Sequence, residues 1–134
     1  MKKILVPAVL FVSVLQACSV LAPADDVTGT SPQLERYSIA ALDTLVVDGK
    51  TTLQELTTMF GPGQRVAQAH SCASGVAGST GKGGDKRECQ IYVWTFNRIN
   101  YGNRQLTNRN LSASVVTSTN VVDKHKGGGY DKPY

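Results

Sequence analysis

Gly49-Lys50-Thr51 ends the way a nucleotide-binding phosphate loop ends. Such a loop also needs a glycine five residues before Gly49, so that several backbone N–H groups can turn toward one phosphate. Position 44 is Thr44, followed by Leu45, Val46 and Val47, and the loop is incomplete. A second set comprises His70, Cys72, Cys89 and His125. Zinc sites draw their ligands from close pairs two to four residues apart, and no such pair repeats here. His70 and His125 are the only histidines, and neither sits in a motif with serine and aspartate. Cys72 with His70 lacks an orienting third group, and an oxidised thiol is no nucleophile. These residues point away from an enzyme, a metal centre or a soluble cofactor.

Cys18 carries different chemistry. Met1-Lys2-Lys3 precedes an apolar run from Ile4 to Leu15, a charged n-region and an h-region too short to cross a bilayer as a helix. The run ends Leu15-Gln16-Ala17-Cys18, which resembles the bacterial lipobox. That resemblance implies cleavage before Cys18, a covalent diacylglycerol on its sulfur and an acyl chain on its new amine; two or three buried chains hold a protein stably at a bilayer. Ser19, rather than aspartate, follows the cysteine and resembles the pattern sorted to the outer membrane, facing the periplasm. With Cys18 consumed, Cys72 and Cys89 remain as a pair in an oxidising compartment, where a disulfide is expected. The Gly- and Ser-rich loop between them cannot order itself, and closing it removes roughly 3 kcal/mol of entropy from the unfolded chain.

Residues 1–17 therefore read as a lipoprotein signal peptide and 18–32, mostly Pro, Asp, Thr, Gly and Ser, as a flexible lipid-anchored linker. One small domain over 33–125 and a Gly-rich, frayed tail over 126–134 follow. Ser31-Pro32 opens a first helix to about Thr44; Leu45-Val46-Val47 reads equally as its end or as a short extended piece. Thr52-Leu53-Gln54-Glu55 is a capping box that opens a second helix, with Leu53, Leu56, Met59 and Phe60 on one face and Gly61-Pro62-Gly63 as its stop. Beyond it the texture becomes extended: one strand over Gln64–Ser71, a strong β-branched and aromatic strand from Gln90 to Ile99, and a third over Leu111–Thr117, with Asn120 bending the chain into Val121-Val122. The expected fold class is α+β, two N-terminal helices packed on a three-stranded antiparallel β-meander. Tyr92, Trp94 and Phe96 share one face of the aromatic strand. That face is either the floor under the helices or, with Arg98 and Arg104 beside it, a partner-binding surface of the residue types that dominate interfaces.

Charge is uneven along the chain. Cys18 to Gly63 holds two basic residues, Arg36 and Lys50, against six acidic ones, whereas Gln64 to Tyr134 holds ten basic against four acidic. A basic half on an anchored protein suits anionic lipid headgroups, peptidoglycan or an acidic partner surface, unless its cations only blunt a strand edge.

The stretch Gly49-Lys-Thr-Thr-Leu-Gln-Glu-Leu-Thr-Thr-Met-Phe-Gly61-Pro62, together with Ile91-Tyr-Val-Trp-Thr-Phe96 and the Val121-Val122 pair, resembles the BamE-like (SmpA/OmlA) small outer-membrane lipoproteins. The likeness spans about Leu42 to His125. It implies a non-enzymatic lipoprotein that docks on and steadies an envelope complex such as the outer-membrane barrel-assembly machinery, held to the membrane by its lipid; nucleic acid is not among the expected partners. The alternative is an accessory or inhibitor-like lipoprotein of a secretion or conjugation system, with the Cys72–Cys89 loop as its probe and Lys82, Lys86 and Arg87 as a cationic tip.

Overall fold

A computed structural model describes residues 24–66, 68–72 and 86–134. The export segment, Cys18 and the loop residues 73–85, Lys82 included, lie outside the described residues. In chain order the elements are β1 (Asp26–Thr28), a 3₁₀ segment (Pro32–Arg36), α1 (Ile39–Leu45), α2 (Leu53–Phe60), β2 (Gln64–Arg65), β3 (His70–Ser71), β4 (Glu88–Asn100), β5 (Gln105–Val116) and β6 (Val122–Pro133).

These form one antiparallel sheet of six strands, which corrects the expected three-stranded meander. β4, β5 and β6 are consecutive neighbours, while β1, β2 and β3 all pair with the other edge of β4. The physical reason is that β4 is far longer than any of its partners on that edge. Three short pieces fill it in line: Asp26–Thr28 opposite Ile99–Asn97, Gln64–Arg65 opposite Val93–Tyr92, and His70–Ser71 opposite Cys89–Glu88. The single strand expected over Gln64–Ser71 is thus two pieces of two residues each, and part of the expected linker is β1.

The helices also divide differently. Ser31 does not cap a helix: its N–H donates to the Thr95 carbonyl at 2.9 Å and its hydroxyl donates to the Phe60 carbonyl, so it bolts the first turn to β4 and to the end of α2. The chain extends again at Tyr37, and Ser38 is the true N-cap of α1, accepting from the Ala41 N–H at 3.1 Å. Val46 is extended, so the helix ends at Leu45. In α2 the capping box forms as its sequence requires: Thr52 Oγ1 accepts from the Glu55 N–H at 3.2 Å and Glu55 Oε2 accepts from the Thr52 N–H at 2.7 Å. That backbone bond to its charged form holds the Glu55 carboxyl below its ordinary range.

All helical segments lie on one face of the sheet. Leu34, Leu42, Val46, Leu56 and Phe60 pack there against Trp94, Phe96, Leu111, Ala113, Val115 and Val122. The tail expected to fray is instead the second half of β6, paired with β5 as far as Gln105↔Pro133. Its glycines serve approach: a Cβ on Gly127 would stand 2.9 Å from the Leu42 Cβ, so only glycine lets α1 settle on the strand.

Candidate docking surface

The residues with chemistry are spent on structure. The N–H groups of Gly49, Lys50 and Thr51 donate to the carbonyls of Val122, Val47 and Val47 at 2.7, 3.1 and 2.9 Å. None is left to cradle a phosphate, and Gly49 serves the turn with a φ of 76°. Cys72 and Cys89 are bonded, with Cα atoms 4.9 Å apart, and pack with Val116 as a small second core. Asp123 lies near both sulfurs, but a closed disulfide offers no thiolate to a metal, and Asp123 already pairs with Arg87 at 2.9 Å. That pair ties one cation of the expected loop tip to β6. His125 sits far from His70: its Nδ1 lies 2.6 Å from Asp48 Oδ1 and its Nε2 2.9 Å from the Asp43 carbonyl. With both ring nitrogens engaged, it clamps β6 to α1 and the following turn.

The five expected partner-binding residues separate. Trp94 and Phe96 are core, at 0% and 1% exposure. Gly61 and Gly63 wrap the indole: Trp94 Nε1 donates to the Gly61 carbonyl at 2.8 Å, and a Cβ on Gly63 would stand 2.6 Å from the ring. The stop signal of α2 is thus also the lid on Trp94. Tyr92 is half-buried against Trp94, with ring centroids 6.2 Å apart. Arg98, its side chain a third exposed, is engaged by Glu35 and by Asp25, the latter at 3.6 Å, with its guanidinium 5.8 Å from the Phe96 ring centroid. Arg104 alone remains open, in the exposed β4–β5 turn.

Cross-strand register defines what the opposite face presents. Residues paired across an antiparallel sheet share a face, which gives five rows: Ile91–Ser114–Lys124, Val93–Ser112–Lys126, Thr95–Asn110–Gly128, Asn97–Asn108–Tyr130 and Ile99–Leu106–Lys132. Among the described residues no helix packs on these rows. The β4 column is largely apolar and half-buried, and the β5 column offers Asn108, Asn110 and Ser112 between Leu106 at one end and the buried Ser114 at the other, where the face closes over the Cys89–Val116 row. The β6 column is cationic, with Lys124, Lys126 and Lys132 exposed and in no ion pair among the described residues. The amides link across and along the strands: Asn108 Nδ2 donates to Asn97 Oδ1 on β4 at 2.6 Å, and Asn110 Nδ2 donates to Asn108 Oδ1 on the same strand at 3.1 Å. Sequence reasoning missed this face, although Asn108, Asn110 and Ser112 alternate with Arg109, Leu111 and Ala113 at period two, as do Lys124 and Lys126.

The inward counterpart of those polar residues is Arg109, 7% exposed. Its Nε donates to the Tyr37 carbonyl at 2.9 Å, and its two terminal nitrogens donate to Asp131 Oδ1 and Oδ2 at 3.0 and 2.7 Å. The Arg109 hydrogen bond holds the Asp131 carboxyl below its ordinary range. A groove of ≈ 450 Å³ on α2 is walled by Leu45, Met59 and the capping residues Thr52 and Glu55. It gathers no convergent catalytic groups. Comparison with family models, with characterised proteins and with solved structures finds no match to this chain.

Proposed function

We propose that this protein is a lipid-anchored lipoprotein of the bacterial outer membrane, facing the periplasm, that docks on an envelope protein complex and performs no catalysis itself. The observation that carries the reading is the helix-free sheet face. Ile91, Val93 and Ile99, the polar side chains of Asn108, Asn110 and Ser112, and a column of lysines lie side by side on one sheet face. This is the mixture of apolar patch, hydrogen-bonding groups and charge that protein interfaces use. Lys124 and Lys126 of that column select an acidic patch on the partner. Support for the compartment comes from the Cys18 lipobox and from the Cys72–Cys89 bond, which suits an oxidising space. The likeness of Gly49–Pro62 to BamE-like lipoproteins makes the barrel-assembly machinery the first complex to test.

A photocrosslinking residue placed at Asn110, at the centre of the face, is expected to give discrete protein adducts in intact membranes. The same residue at Gln54, on the outer side of α2, is expected to give none. Equal adducts from both positions, or adducts from Gln54 alone, would remove the sheet face from the proposal. Metabolic labelling with a palmitate analogue is expected to mark the wild-type chain and leave Cys18→Ser unmarked and released from membranes.

A further inference from the structure

The chain leads out of the described structure at residue 24, and this point fixes one end of the molecule. Asp25 Oδ2 accepts from Asn100 Nδ2 at 3.3 Å and β1 pairs with the last residues of β4. The chain therefore departs beside the β4–β5 turn. The carboxy terminus returns to the same place, where the Tyr134 N–H donates to the Arg104 carbonyl at 3.2 Å. Three of the chain's five tyrosines gather here: Tyr101, Tyr130 and Tyr134 are 41%, 44% and 53% exposed. Tyr101 and Tyr134 meet edge to face with centroids 6.4 Å apart, and Lys132 Nζ lies 4.8 Å from the Tyr130 centroid. Val27, 44% exposed on β1, adds an apolar side chain. Three acidic neighbours are engaged from within, Asp25 and Glu35 sharing the one charge of Arg98 and Asp131 held by Arg109, whereas Arg104 and Lys132 are in no ion pair among the described residues.

We infer that this end of the sheet stands on the phospholipid bilayer, with Tyr101, Tyr130 and Tyr134 in the headgroup layer and Arg104 and Lys132 toward lipid phosphates. The inference rests on acylation of Cys18. From Cys18 to residue 24 the chain spans at most about 20 Å, so the tether itself holds this end at the bilayer. Tyrosine, with an apolar ring and a polar tip, is the residue type that settles at such an interface, and long cationic side chains reach for its phosphates. An orientation for the whole domain follows. β4 runs from the Cys72–Cys89 bond to the tether end, and its length of about 40 Å sets that bond and the β5–β6 turn away from the membrane, toward periplasmic partners.

The test uses the full lipidated protein, purified from membranes and reconstituted on phosphatidylcholine vesicles with and without phosphatidylglycerol. The native cysteines are acylated or bonded, so single nitroxide labels can be placed at Asn103→Cys, in the β4–β5 turn, and at Ser118→Cys, in the β5–β6 turn. Relaxation by a nickel chelate fixed to lipid headgroups is expected to be several-fold stronger at position 103 than at 118. Tyr101→Ser with Tyr134→Ser is expected to shrink that ratio while the protein still floats with the vesicles. Flotation with equal relaxation at both sites overturns the orientation and leaves the anchor standing. Protein that fails to float overturns both. A ratio that survives loss of the tyrosines overturns their role.

Discussion

Trp94 shows how a single side chain can be mistaken for a contact and prove to be a foundation. Tryptophan on a strand between tyrosine and phenylalanine has the composition of an interface, yet its indole is enclosed by Gly61, Gly63 and the Phe60 ring, 6.4 Å away centroid to centroid. Trp94→Ala should cost about 3–5 kcal/mol of stability, measured by urea unfolding, because the cavity cannot collapse around glycines already in contact. Asp131 makes a different prediction. Its folded carboxyl is held below the ordinary value of 3.8 by Arg109, so the pair stabilises the fold at pH values above that range. As the pH falls through it, the carboxyl must take up a proton and the stabilisation is lost. The thermal midpoint of the wild type should therefore fall more steeply in acid than that of Asp131→Asn, which has no proton to gain there. Parallel acid branches for the two proteins would contradict this. The pairing with Arg109 was invisible in the sequence because Asp131 lies 22 residues away on another strand.

At the scale of elements, legibility follows the range of the interactions that define them. The capping box of α2 is written within four consecutive residues, so Thr52 and Glu55 announce it in any chain. Thr52→Ala should cost about 1 kcal/mol in thermal denaturation by losing the bond to the Glu55 N–H. Strand β4 announces itself through density of β-branched and aromatic residues. Strand β6 does not. Gly127-Gly128-Gly129 reads as a frayed tail, because local propensity assigns glycine no preference for a strand, while the reason for it lies across the sheet in α1 and β5. Gly129 has a φ of 143°, and a Cβ there would collide with the Asn108 carbonyl. Gly129→Ala should accordingly destabilise the domain by more than 1 kcal/mol, beyond the cost of an ordinary glycine substitution. Hydrogen exchange would locate the damage in the last residues of β6. Uniform protection along β6 in that variant would show the strand to be less constrained than its backbone implies.

The whole molecule is a sheet with two unlike faces, and only one of them was readable. The helical face was legible from the helix side, where periodicity puts Leu56 and Phe60 of α2 together, while the face of β4 that meets them, with Trp94, read equally as floor or as contact. The helix-free face is a product of register, which aligns Lys126 with Ser112 and Val93 from three distant segments, and no local pattern states such an alignment. Its energetic character leads to a prediction that separates function from stability. Lys124 and Lys126 are exposed, and among the described residues neither is in an ion pair. Reversing both to glutamate therefore breaks no ion pair among the described residues and should change stability by less than about 0.5 kcal/mol each. An acidic partner would nevertheless meet repulsion in place of attraction, and both the rate of capture and its dependence on salt should fall. Crosslinking from Asn110 in the Lys124→Glu, Lys126→Glu chain should give weaker adducts, and raising the ionic strength should weaken the wild-type adducts toward the same level. Adducts of undiminished strength in a fully folded double variant would mean that the lysines serve only to blunt the β6 edge against other strands, and that the grip of this face lies in its apolar and amide columns.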